Sequence, residues 1–191
     1  MLIMSKKEIL RKFLIKKRDS YEKKKLLKLS NLICKNLIKH EVYKKKNIAI
    51  YSPINSEVDL SQIKYDLIQR NKFIIYPRIE KNKELFFYKV NDVRKHTKKN
   101  KFGIYEPVKK ICEKVIFSDL DVVLVPCLGF MNNGHRIGYG GGYYDRLFKK
   151  LNSDIIKIIV AFSFQHLSNF PTTKYDEKVD YIITDERVLK T

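Results

Sequence analysis

The sequence predicts one three-layer α/β domain with a largely parallel sheet and two N-terminal helices. Three observations carry this. Two amphipathic helical stretches open the chain, short unbroken apolar runs separated by turn residues follow, and helical stripes lie between some of those runs. With 191 residues, 44% of them hydrophobic, the chain can bury a core without disulfides or a structural metal.

Ser5 and Glu8 stand at capping-box spacing and Leu10, Phe13 and Leu14 recur at helical intervals, so a helix is expected over 6–18. Ser20 is expected to cap a second helix, with Leu26, Leu29, Ile33 and Leu37 as its buried stripe and the polar break 44–47 after it. Apolar runs follow at 48–51, 73–76, 85–88, 122–125, 155–162 and 181–183, and they read as strands buried on both faces. Leu60, Ile63, Leu67 and Ile68 form a helical stripe between the first two runs, the length a right-handed crossover needs. Tyr144, Leu147, Phe148 and Leu151 form another between the fourth and fifth. The polar, basic stretch NDVRKHTKKNK, 91–101, reads as a mobile loop inside one domain, because neither side of it holds a complete core.

Composition narrows the function classes. Cys34, Cys112 and Cys127 form no CxxC pair and have no histidine at metal-ligand spacing, which fits a reducing compartment. The opening MLIMSKKEIL lacks the apolar run of a signal peptide, and no stretch approaches the roughly 20 apolar residues of a membrane span, so a cytoplasmic protein is expected. The net charge of +19 invites a nucleic-acid reading. Its lysines are spread from Lys6 to Lys190, however, and read mostly as a solvated face, with attraction of anionic small molecules or nucleic acid as the lesser reading.

The segment NNGHRIGYGGGYYDRLF, 132–148, holds five of the seven glycines within nine positions. It follows the strand ending at Val125 and Pro126 and precedes a helix, the place where open α/β sheets keep their ligands. Glycines there let backbone amides approach an anion closely, and a phosphate is the natural fit. Neither GxxxxGK[ST] nor GxGxxG is satisfied, since Tyr143 stands where the third glycine of the latter belongs. Asp145, in the first turn of the next helix, is either a helix-dipole partner or, the preferred reading, a carboxylate for Mg²⁺ beside a polyphosphate.

The stretch DVVLVPCLGFMNNGHRIGYGGGYYDR resembles the signature of the 5-formyltetrahydrofolate cyclo-ligase family, also called methenyltetrahydrofolate synthetases. The similarity extends to the Lys7 and Arg11 spacing, YSPINSEVD at 51–59, GIYEP at 103–107 and FQHLSNFPTTKYDEKVDYIITD at 164–185. The resemblance implies a Rossmann-like fold and conversion of 5-formyltetrahydrofolate to 5,10-methenyltetrahydrofolate with ATP and Mg²⁺, through phosphorylation of the formyl oxygen. Such a transfer asks for alignment and charge stabilisation and needs no nucleophile. By the same resemblance, the nucleotide falls to Lys7, Arg11, Gly134, Arg136, Ile137, Gly138, Tyr139, Gly140, Gly141, Gly142, Tyr143 and Tyr144, with Arg136, Tyr144 and Asp145 as the catalytic set. Tyr51, Ser52 and Glu57 match the folate site, and Asp145 and Asp176 the metal positions.

Lys7 and Arg11, one turn apart, share a helix face, which alone reads as a solvated surface. Glu57 alone also reads as a carboxylate at a helix N-terminus, Asp176 as a loop cap, and Tyr51 as core. The chain departs from the family where Cys127 and Met131 replace the common Gly and Asp, and where Tyr175 replaces a common His. Cys127 reads as a small buried filler, and His135 and His166 as spectators. The expected partners are the small-molecule substrates, without membrane or nucleic acid, and the expected state is a monomer or homodimer. A non-catalytic basic nucleotide- or RNA-binding protein on the same fold is the alternative, against which stand Glu57, Asp145 and Asp176: three acids weaken phosphate binding unless a metal joins them. Another ATP-using enzyme acting on a different one-carbon carrier also stays open.

Overall fold

The computed structural model describes residues 5–100 and 103–191. Met1–Met4, on which part of the signal-peptide reading falls, and Lys101, the end of the expected loop, lie outside them.

The first helix, α1 (Lys6–Asp19), has its complete capping box: the Glu8 N–H donates to Ser5 Oγ at 3.3 Å and the Ser5 N–H to Glu8 Oε2 at 2.6 Å. Phe13 is nonetheless 60% exposed, because α1 packs through Leu10 and Leu14 on a narrower face. Ser20 does not cap the next helix. Its backbone is αR, not the extended form an N-cap needs, and it closes α1 with its N–H on Lys16 O and its hydroxyl on Lys17 O. The second helix, α2 (Lys23–Lys39), starts from Glu22 with no side-chain cap bond, and buries Leu26, Ile33 and Leu37 with Leu29 at the margin.

The chain then runs through β1 (Ile48–Ala49), α3 (Ser61–Gln69), β2 (Ile74–Ile79), β3 (Leu85–Val90), α4 (Val93–His96), β4 (Thr97–Lys99), β5 (Tyr105–Pro107), β6 (Lys114–Val115) and β7 (Val122–Val125). After it come β8 (Gly129–Phe130), β9 (Arg136–Ile137), α5 (Tyr143–Phe148), β10 (Ile156–Val160), β11 (Tyr181–Ile183) and β12 (Val188–Lys190). The main sheet has the order β12-β11-β10-β7-β1-β2-β3-β6. Its body from β11 to β2 is parallel, while β12, β3 and β6 add antiparallel edges.

Side chains alternate across the sheet and divide the core into two layers. Ile48, Val122, Leu124, Ile158 and Ile183 face α2 and α3; Ala49, Val123, Val125, Ile159 and Ile182 face α5. These are the three layers expected from the unbroken apolar runs. A smaller cluster of Leu14, Leu128, Met131, Ile137 and Phe170 fastens α1 to the β8–β9 hairpin instead of to either sheet face.

Two further expectations change. Ile68 is 49% exposed, so the buried stripe of α3 is Ile63 and Leu67 behind an N-capping Leu60. The stretch from 91 forms regular elements in place of the expected loop: Asp92 Oδ1 accepts from the Arg94 and Lys95 amides to start α4, and β4 pairs antiparallel with β5. Polar side chains there are consistent with a strand because its backbone pairing does not depend on them. Among the described residues, no helix is long and apolar enough to cross a membrane.

Candidate active site

A cleft of about 950 Å³ lies beyond the carboxyl ends of β1 and β7, where the chain leaves through Tyr51 and Pro126. Pro77, Ile79, Leu85 and Ile104 supply an apolar wall, and 138–142, joining β9 to α5, supply a polar one. Every residue matched above to nucleotide, folate or metal lines this cleft except Gly134.

The loop is bare for two local reasons. Gly140 (φ +98°) and Gly142 (φ +63°) take conformations that side-chain-bearing residues rarely adopt. A Cβ on Gly140 would also sit 3.2 Å from the Arg11 guanidinium, whose Nε donates to Gly138 O at 2.9 Å. Arg11 thus braces the loop from α1. Gly134 is a different case. At φ +88° it turns the β8–β9 hairpin, and a Cβ there would meet Val179 O at 2.8 Å, so the structure explains this glycine by packing away from the cleft.

Arg136 and Ile137 belong to β9 and not to the loop proper. The buried Arg136 guanidinium donates to Asp145 Oδ1 at 2.8 Å and to Glu177 O at 2.7 Å, and stacks 4.6 Å over the Phe148 ring. Asp145 Oδ1 also accepts from the Glu177 amide at 3.2 Å, which brings the adjacent Asp176 to the same end of the cleft. Asp176 Oδ2 accepts from Lys7 Nζ at 2.7 Å and from the Thr173 hydroxyl at 2.9 Å. Burial alone would raise its pKa, but the Lys7 and Thr173 bonds outweigh that and hold it below the ordinary value. Lys7 and Arg11 therefore do share a face of α1 that looks into the cleft, though each engages a different part of it.

Glu57 sits in the turn after β1, not at the start of α3, and is 8% exposed. Burial pushes its pKa up to about 7, against the pull of the Ile54 amide, the Arg18 charge and the Tyr139 hydroxyl. Tyr51 is buried beside it, its hydroxyl donating to Val58 O at 3.3 Å. Tyr144 is flanked by Phe148, and burial raises its phenol further above the ordinary range. Cys127 is buried with its thiol pushed up to about 12 by desolvation, as a filler residue should be. Tyr175 stands at the rim with Lys149 5.0 Å from its ring centroid, and neither His135 nor His166 lines the cleft.

Arg18 escapes the sequence analysis. It is 2% exposed and continues the face of Lys7, Arg11 and Leu14 at helical spacing, so a charge on the apolar stripe was the available signal. Arg146, a second residue that sequence does not mark, donates to Gly141 O and Lys83 O, tying the loop to the β2–β3 turn.

A sequence model of the 5-formyltetrahydrofolate cyclo-ligase family matches residues 3–185. The chain is 31% identical over 135 residues to the 5-formyltetrahydrofolate cyclo-ligase of Haemophilus influenzae, covering 69% of this chain and 71% of that one. It is also similar in structure to the 5,10-methenyltetrahydrofolate synthetase of Aquifex aeolicus solved by NMR, with a TM-score of 0.84, 34% identity, and 96% and 92% of the two chains covered. The synthetase structure from Mycoplasma pneumoniae gives a TM-score of 0.78 at 27% identity, covering 95% and 99%. The chain therefore belongs to the 5-formyltetrahydrofolate cyclo-ligase family, a family of enzymes.

Proposed function

We propose that the protein converts 5-formyltetrahydrofolate to 5,10-methenyltetrahydrofolate at the expense of ATP, with Mg²⁺, releasing ADP and phosphate. The observation that carries the reading is a single cleft holding both the bare loop 138–142 and the buried acid Glu57. The names of its relatives support the same conversion.

The formyl oxygen is a poor leaving group. It takes the γ-phosphoryl group of ATP as ADP departs; N10 then bonds to the formyl carbon, phosphate leaves with the oxygen, and the N10 proton is released. This chemistry asks the protein for alignment and for charge stabilisation at the phosphoryl group. The amides of 138–142 are suited to cradle the polyphosphate, with Arg11 fixing the loop and Lys7 and Arg136 supplying positive charge. Glu57 is suited to accept from the pterin N–H groups, with Tyr51 and Ser52 at its side.

Asp145 and Asp176 would hold magnesium, which supplies charge neutralisation on the transferred group. The residues fit. Among the described residues, no group of three His, Cys, Asp or Glu side chains could hold a metal alone, whereas two carboxylates beside a phosphate cradle are the donor set magnesium uses when phosphate oxygens complete its shell. Each carboxylate is now paired with a cation, Asp145 with Arg136 and Asp176 with Lys7, so the site is charge-balanced before polyphosphate and ion enter together. A cytoplasmic monomer or homodimer acting on small molecules completes the reading.

The test is to mix the protein with 5-formyltetrahydrofolate, ATP and Mg²⁺ and follow the near-ultraviolet absorbance of the methenyl product. Absorbance that grows only when all three are present is expected. A protein that binds ATP and yields no product under these conditions would overturn the reading.

A further inference from the structure

We propose that Arg18 is a positioning residue that holds the turn carrying Glu57 against the glycine loop, bonding Ser56 of that turn and the Tyr139 hydroxyl of the loop. The inference rests on the reading of Glu57 as the folate-binding acid.

Arg18 lies at the last turn of α1 and is nearly inaccessible. A long charged side chain on the stripe begun by Leu10 and Leu14 is an expensive way to fill space, since burying a cation costs more than burying an aliphatic of the same volume. What the guanidinium does there is reach in three directions. Its Nε donates to Ser56 Oγ at 2.9 Å, one NH group to Cys127 O at 3.2 Å, and the other to the Tyr139 hydroxyl. Those partners sit in the turn that carries Glu57, in the exit from β7, and in the glycine loop. The Ser56 hydroxyl in turn donates to the carboxylate of Asp19, next to Arg18 in the chain. One planar group therefore joins α1 to the segments that form both halves of the cleft, a geometry that the single ammonium of lysine does not reproduce.

The third contact has a chemical consequence. Because the Tyr139 oxygen accepts from Arg18, its hydroxyl proton is available to another acceptor, and that hydroxyl favours the charged form of Glu57. The titratable groups coupled to Glu57 are Arg18 of α1 and Tyr139 of the loop, which act on it, and Tyr51 at the exit of β1, Cys127 after β7 and Tyr144 of α5, which feel its charge. Of these, Arg18 and Tyr139 favour the ionised form. Burial and the Ile54 amide act on Glu57 most strongly, and Arg18, a residue outside the cleft lining, adds to the pull toward the ionised form near neutral pH.

The test is a titration of the Glu57 carboxyl by carbon-13 NMR in the ligand-free wild type, Arg18→Gln, Arg18→Lys and Tyr139→Phe, beside the pH profile of kcat/KM for 5-formyltetrahydrofolate. The midpoint of Glu57 should rise by about one pH unit in Arg18→Gln and in Tyr139→Phe. Their combination should raise it by less than the sum, Arg18→Lys should restore part of the shift, and the acid limb of the profile should move with it. A purely structural arginine would lower activity at every pH and leave the limb in place. An unmoved midpoint in folded Arg18→Gln and Tyr139→Phe overturns the proposal. Should Arg18→Gln fail to fold, Tyr139→Phe decides alone. A midpoint that moves while the folate profile does not supports the Arg18 assignment and removes Glu57 from the folate site.

Discussion

Glu57→Gln should make the protein more stable at pH 8 and barely change it at pH 5. The carboxyl is pushed up to about 7 from an ordinary 4.5, chiefly by burial. A carboxyl raised in this way favours the folded state while protonated, so its contribution is complete below the unfolded pKa and is lost as pH rises through 7. At 1.36 kcal/mol per pH unit the loss approaches about 3 kcal/mol. Glutamine removes the ionisation and keeps an oxygen for the Ile54 amide, which Glu57 Oε2 now accepts at 3.0 Å. Urea unfolding followed by circular dichroism should give a gap of up to about 3 kcal/mol at pH 8 and under about 1 kcal/mol at pH 5. In melting temperature the gap at pH 8 is about 6 to 12 °C for a chain of this size. The same substitution should lower kcat/KM for 5-formyltetrahydrofolate by roughly 10- to 100-fold through loss of a charged acceptor. Equal gaps at the two pH values, or a variant less stable than wild type at pH 8, would refute the reasoning, because ionised Glu57 would then cost the fold nothing.

Three further outcomes test the other half of the cleft. Asp145→Asn keeps an oxygen for Arg136 and the Glu177 amide, so it should fold and melt near wild type while turnover falls by at least about 100-fold; full turnover would remove Asp145 from metal binding. Arg136→Ala should weaken ATP binding by about 1.5 to 3 kcal/mol in calorimetry, and unchanged affinity would take Arg136 out of the nucleotide site. Gly140→Ala, at φ +98° and against Arg11, should raise KM for ATP about tenfold, whereas the cost of Gly134→Ala, at φ +88° and against Val179 O, should appear as about 1 to 3 kcal/mol of lost stability. Kinetics and denaturant curves of the two variants separate these effects, and the reverse pattern would show that the glycines have been assigned to the wrong roles.

The parts of this protein that sequence reveals are those where one physical rule acts alone. Unbroken apolar runs become the parallel body of the sheet because both faces are covered, and Ser5 with Glu8 caps α1 through contacts three residues apart. The reading fails where the deciding partner is distant. Ser20 has a reasonable N-cap identity, but the turn it occupies belongs to the helix before it. The β8–β9 hairpin has two-residue strands containing a glycine and an arginine, too short for any periodicity, and its stability comes from Leu14 and Phe170 packing onto it. The candidate site was legible through the glycine run and the family resemblance. Its wiring was not, since Lys7 meets Asp176 and Arg18 meets Tyr139 only after the sheet has brought them together.

The basic composition shows why Arg18 was hard to see. Among 40 lysines and arginines, residue type carries almost no information about which cation has work to do. Solvated lysines gain and lose little by their position, because water and salt screen them. A cation that has been stripped of water must be held by fixed partners or the fold would expel it. Arg18 and Arg136 are the basic residues among those described that are buried, and both reach backbone carbonyls as well as side chains across distant segments. Arginine serves such positions because its planar fork spreads one charge over several directed bonds, so a charge on a buried helix stripe is a better pointer to function in a basic chain than any count of its lysines.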